Sequence, residues 1–299
     1  MYLRLALVLL LTALWAAAAA AREVLPVTVA VLDVGGTPVA ERVAERVAKA
    51  LPGSGRMDMR LTVLDRGMSR AAARGVGYAG SLNMTLAEAR ALGAAVGCGF
   101  FLTGDAQTVR RSSSARPVYF ESYASLFVVS AHTGRLVHWD RPAAEADTAE
   151  AAEAALFAKL DAGAATRYAV AVAEAFARER RERFAPEAGA TVSVIDLSTD
   201  EGAVANRDLR EPEPYRRLRP AYTDAAARAE AEATVDALVE IGADGEVGDV
   251  RVVRWAGFGL DEEVVATVRR MHFRPAQREG APVPVRVLLR YNFRKPPKT

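Results

Sequence analysis

The last stretch of the chain constrains its fold more than any other. Val283, Val285, Val287, Leu289, Tyr291 and Phe293 alternate with Pro284, Arg286, Leu288, Arg290 and Asn292. A period of two sets one apolar face on one side of a strand. A lone strand cannot bury that face, so it needs neighbours. They precede it in the chain. Val235, Ala237, Val239 and Ile241 alternate against Thr234, Asp236 and Glu240, Asp244-Gly245 is a hairpin signal, and Val247 to Val253 returns as the paired strand. Leu260, Val264, Val268 and Met271 then mark a short helix, with Asp261, Glu262 and Glu263 in its first turn as the helix dipole prefers. The unit reads strand, hairpin, strand, helix, strand.

The first half has a different rhythm. Val27 to Val34 is a β-branched run ending at Gly35-Gly36, and Thr37-Pro38 suits an N-cap and first helical position. Val39, Val43, Val47 and Leu51 share one face of the helix that follows. Further strands are expected at Arg60 to Asp65, from Phe100, at Val118 to Ser130 and at Arg135 to Asp140, with a helix over Met84 to Val96. His132-Thr133-Gly134 suits a turn. An alanine-rich helix runs from Thr148 to about Phe184 unless Gly163 breaks it. Mixed strands and helices in this order make an α/β layer. Residues 186–219, punctuated by Pro186, Pro212 and Pro214 and rich in arginine, read as a linker, with a short strand at Val192 to Ile195. The fold class is therefore α+β in two domains, 22–185 and 220–299.

Composition excludes several functions. With 299 residues, 51% hydrophobic and 25% charged, the chain has ample core and is no disordered tail. A net charge of +2 argues against general nucleic-acid affinity. Residues 1–21 carry a basic start, an apolar run from Leu5 and small residues to Ala21, which is a secretory signal; the alternative is an uncleaved inner-membrane anchor over 5–21. The reading places the protein in the periplasm of a Gram-negative-type bacterium.

No active site stands out. Cys98 is one thiol without a partner base, and His132, His138 and His272 are scattered, so no catalytic, cofactor or metal residue is assigned. Gly75-Val76-Gly77-Tyr78-Ala79-Gly80 has glycine-motif spacing but follows no strand, which defeats a dinucleotide reading. Asn83-Met84-Thr85 is a sequon by chance frequency.

The elements Ile241 to Val247, Gly259-Leu260-Asp261, Phe273-Arg274-Pro275-Ala276, Gly280 and the strand to Phe293 resemble the TonB-family C-terminal domain, over about residues 220–297. More weakly, Val29 to Asp33, Val63 to Arg66, Gly104 and Thr133 to Val137 make residues 27–184 similar to the CsgG-type domain of curli secretion. The TonB likeness implies a non-enzymatic envelope protein that binds outer-membrane receptors or other envelope partners by strand addition, in energy-coupled transport with an inner-membrane motor complex. The resemblance places the partner-binding edge at Val285, Arg286, Val287, Leu288, Leu289, Arg290, Tyr291 and Phe293. Arg269, Arg270, Arg274, Arg278, Arg286, Arg290 and Arg294 cluster about it with Glu279 as the one nearby acid in sequence. The long spacer and the polar anchor residues of known transducers are missing, which keeps open a periplasmic assembly factor with no transducing role. An exposed last strand also allows a homodimer.

Overall fold

A computed structural model describes residues 25–54, 59–184 and 193–295. The expected signal, residues 1–21, lies outside these. Among the described helices none is long and apolar enough to cross a membrane.

The N-terminal sheet is built from β1 (Leu25–Val31), β2 (Met59–Val63), β3 (Phe100–Arg111), β4 (Tyr119–Ser130), β5 (Leu136–Asp140) and β6 (Ala143–Ala146). Its order is β2-β1-β3-β4-β5, with β6 also on β4. β1 pairs in parallel with β2 and β3, and the remaining pairs are antiparallel. The central strands are apolar on both faces because both faces are covered. Val27, Val29, Val31, Phe100, Leu102, Leu126 and Val128 point into one core. Three helices cover it: α1 (Pro38–Ala50), α4 (Ala149–Lys159) and α5 (Ala165–Phe184).

Local signals explain these helices. Thr37 Oγ1 accepts from the Ala40 N–H, and Val39, Val43 and Val47 are buried as their spacing requires. The alanine-rich helix does break, at Gly163 with φ of 128°, between α4 and α5.

The opposite face of the sheet carries Ala30, Leu32, Phe101, Phe127 and Val129. Helices α2 (Arg66–Gly75) and α3 (Leu86–Val96) cover part of it through Ala73, Ala89 and Leu92. The C-terminal unit covers the rest.

That unit has a four-stranded sheet in the order β10-β9-β14-β7: β10 (Val247–Arg254), β9 (Ala233–Ile241), β14 (Val285–Phe293) and β7 (Ile195–Asp196). Helix α8 (Leu260–Val268) lays Leu260, Val264 and Val268 into one core with Val235, Ala237, Val239 and Ile241 of β9. Gly245 takes the left-handed turn conformation expected of it, with φ of 84°.

The stretch 193–219, expected as linker, carries β7, α6 (Asp200–Ala205) and β8 (Glu213–Pro214). β7 pairs with β14 and β8 with β11 (Phe273–Arg274). The short strand expected at Val192 to Ile195 meets β7 only at Ile195, with Val192 outside the described residues, while α6 and β8 are too short to show a hydrophobic period. Helix α7 (Asp224–Ala229) and the hairpin of β12 (Ala276–Arg278) with β13 (Ala281–Val283) complete the unit.

The two halves share a core. Phe127 of β4 meets the Trp255 ring at 6.1 Å and the Phe258 ring edge-on at 5.4 Å, while Trp139 meets Phe258 at 5.7 Å. Trp255 Nε1 donates to the Gly134 carbonyl at 3.0 Å. Asn83, set aside above as a chance sequon residue, clamps the junction. Its amide donates to the Thr234 and Trp255 carbonyls and accepts from the Thr234 N–H, at 2.8, 2.6 and 3.0 Å. Asn83→Ala strands these backbone groups at a partly buried seam, so a loss of about 1–3 kcal/mol is expected in chemical denaturation.

Candidate functional site

β14 pairs antiparallel with β9 along its whole length, from Val285 opposite Ile241 to Phe293 opposite Ala233. Its odd-numbered side chains turn to the core: Val285 and Phe293 are buried, Val287, Leu289 and Tyr291 pack against the same cluster. Arg286, Leu288, Arg290 and Asn292 occupy the other face. Of the eight residues assigned from sequence, five therefore support the sheet through their side chains.

Backbone direction sorts them again. The Leu197 N–H donates to the Arg286 carbonyl and the Ile195 N–H to the Pro284 carbonyl. Even-numbered residues thus direct their peptide groups away from β9, since a strand alternates its hydrogen-bonding sides. β7 meets β14 only at Val285 and Arg286. Among the described residues, the open rungs are those of Leu288, Arg290 and Asn292, the last of which the sequence reading omitted. Only pairing geometry identifies it.

The arginine cluster is not a bare basic surface. Arg290 grips Asp236 at 2.7 and 3.0 Å, and Arg254 reaches the same carboxylate at 3.3 Å. Burial alone would raise the Asp236 carboxyl, but the hydrogen bonds and charge of Arg290, with those of Arg254, hold it below the usual range. Arg286 pairs with Glu240 and, at 3.6 Å, with Asp196, while Arg274 pairs with Glu213. The acids come from β7, β8 and β9, far away in sequence, which is why Glu279 seemed alone. Among the described residues no ion pair holds Arg269, Arg270 or Arg294.

A second concave feature lies between the sheets. The edge of β5 (Leu136, His138, Trp139), the edge of β10 (Val250, Val252) and α8 (Val265) line a groove of about 960 Å³. Asp261 borders it and accepts the Ala256 and Gly257 N–H groups at 2.9 and 2.7 Å, holding the loop that carries Trp255 and Phe258. Burial pushes its carboxyl up to about 7 despite those two donors. The unfolded value is about 3.9. The folded chain thus binds this proton more tightly, so the group's contribution is full below pH 4 and is lost as pH rises through 7. Thermal melts from pH 5 to 8 should fall with pH, and Asp261→Asn should flatten that slope while lowering the melting point throughout. An unchanged slope would refute this assignment.

The other titratable residues singled out from sequence stand apart. His132 is exposed beside Arg183, His138 faces Tyr168, and His272 contacts Glu246. Burial raises the Cys98 thiol to about 11, so it is no nucleophile at neutral pH.

The C-terminal unit is a small mixed sheet backed by one helix, in which β14 is paired along its length on one side and only at Val285 and Arg286 on the other. Residues 219–294 match the family model of the Gram-negative bacterial TonB protein C-terminal, a non-enzymatic domain. The chain is similar to the solution structure of the Pseudomonas aeruginosa TonB C-terminal domain, at 21% identity over 35% of this chain and 96% of that one, with a TM-score of 0.27. A hypothetical protein of Chlamydia trachomatis matches at 10% identity over 41% and 73%, with a TM-score of 0.29. The PelC dodecamer of Paraburkholderia phytofirmans matches at 14% over 44% and 83%, with a TM-score of 0.26. No curated protein matches the chain.

Proposed function

We propose that this is a cell-envelope protein whose C-terminal unit captures an extended segment of an outer-membrane receptor, or of another envelope protein, by strand addition to β14. The match of residues 219–294 to the TonB C-terminal family carries the reading. Open peptide groups at Leu288, Arg290 and Asn292 supply the means, because backbone hydrogen bonds give such attachments most of their strength.

The shared core bears on how the unit works. Trp255, Phe258 and Asn83 hold it on the N-terminal sheet, so it does not hang on a spacer able to cross a wide gap. We read the chain as an adaptor that holds its partner close to the N-terminal, CsgG-like domain. Coupling to an inner-membrane motor would require the residues 5–21 anchor in addition.

The test uses the whole chain. Leu288→Pro removes an N–H that points to the open edge and leaves the β9 ladder intact, as proline on an edge strand does. Binding to isolated outer-membrane proteins should fall at least about tenfold, the worth of one lost hydrogen bond plus a bent rung. Arg135→Glu, in the β5–β10 groove, should bind as the parent does. Equal binding by Leu288→Pro and the parent would sink the reading.

A further inference from the structure

The edge of β14 already holds a short strand of this chain, and that strand's chemistry describes what the edge accepts. This inference rests on the function just proposed and concerns the same strand. Ile195 lies opposite Val285 and Asp196 opposite Arg286, running parallel to β14. The Ile195 N–H donates to Pro284 O at 3.1 Å and the Leu197 N–H to Arg286 O at 2.8 Å, beside the ladder that pairs Ile195-Asp196 with Val285-Arg286. Ile195 and Leu197 are partly buried against the core, and Asp196 reaches Arg286 at 3.6 Å. The triplet is thus apolar, acidic, apolar, with each side chain placed by the strand's alternation.

The hold is slight. Beyond Asp196 the chain turns away, as its carboxylate takes the Ser198 N–H at 2.9 Å, and the helix that follows, α6, buries none of its residues. Firm attachment resumes at Asn206, whose Oδ1 accepts from Arg278, at Leu209, which is buried, and at Arg210, whose N–H and carbonyl both bond Gln277. Residues 195–205 can therefore leave the edge while the chain stays anchored beyond them.

We propose that residues 195–197 are a placeholder, which an extended partner segment of apolar–acidic–apolar sequence displaces by adding parallel to β14. Displacement makes the Pro284 and Arg286 carbonyls available along with the rungs of Leu288, Arg290 and Asn292. The partner's acid then replaces Asp196 at Arg286. A tethered segment competes at high local concentration, so the placeholder sets a threshold that a weak or mismatched segment does not pass.

A synthetic peptide with the sequence of residues 193–198 is the probe, titrated into the isotopically labelled whole chain. In the double variant Ile195→Pro, Leu197→Pro both tying N–H groups are gone. The peptide should bind that variant at least about tenfold more tightly than the parent, given two freed acceptors. Its resonance shifts should centre on Val285 to Leu288, and a peptide with arginine in place of the aspartate should bind more weakly. Equal affinity for parent and variant, or shifts elsewhere, overturns the proposal. Should the double variant fail to fold, amide exchange in the parent decides. Saturating peptide must speed exchange at Ile195 and Leu197, and unchanged exchange overturns the placeholder. The two readings fail separately. Peptide displacement without any capture of outer-membrane proteins removes the proposed function alone, whereas capture sensitive to Leu288→Pro but indifferent to the double variant removes the placeholder alone.

Discussion

Trp255→Ala is expected to destabilise the whole chain by about 3–5 kcal/mol, the range for truncating a large buried aromatic. Trp255 is 2% exposed and lies in the core that joins the halves. Its ring stacks on Phe127, and its indole N–H satisfies the Gly134 carbonyl at the turn before β5. Truncation opens a cavity between the two sheets and leaves that carbonyl without its donor. Because one core serves both halves, they should lose structure together. Calorimetry should show a single transition in the parent, shifted down in the variant. Two separated transitions in the parent, only the later in sequence sensitive to Trp255, would refute the shared core.

The second large effect is expected at the turn between β9 and β10. Gly245 has φ of 84°, and a Cβ there would lie 1.9 Å from the Phe273 carbonyl oxygen. The Phe273 N–H also donates to the Gly245 carbonyl at 2.9 Å, so the turn and the start of β11 are locked together. Gly245→Ala adds a left-handed penalty of about 1–2 kcal/mol. Moving the Phe273 backbone aside adds about 1–3 kcal/mol. A total loss of about 2–5 kcal/mol should appear in urea unfolding. Gly280→Ala is the control: its φ is 81°, but no atom lies within 4 Å of the added carbon, so it should cost only the conformational part. Equal losses at the two positions would show that the close approach to Phe273 does not matter.

These sites differ in how far the sequence disclosed them. Asp244-Gly245 is legible as a hairpin, because left-handed turns need glycine and the flanking residues alternate. The contact with Phe273 is not, since it joins residues 28 apart that share no local pattern. Trp255 carries no period at all. It sits in the loop between β10 and α8, and its role exists only because Phe127 and Gly134 are brought to it. Asn83 is the same case: an amide with both ends satisfied across a junction reads in the sequence as an ordinary polar residue.

The edge strand shows the division most clearly. Alternation from Val283 to Phe293 sets which side chains face the core, and it does so locally, because each residue's direction follows from its neighbours' backbone angles. It says nothing about which neighbour lies on either side. That depends on pairing with Ala233 to Ile241 on one edge and with Ile195-Asp196 on the other, and on acids at Asp236, Glu240 and Asp196 that quench the arginines. By itself the sequence determined most of the longer elements, their buried faces and the C-terminal family likeness, all carried by short-range periodicity and turn chemistry. Only the tertiary structure decided that the two halves share a core, and that the edge of β14 is left with three open rungs among the described residues, beside a strand of the chain's own. Those outcomes arise from contacts between distant segments, whose free energy is realised only once the chain has closed on itself.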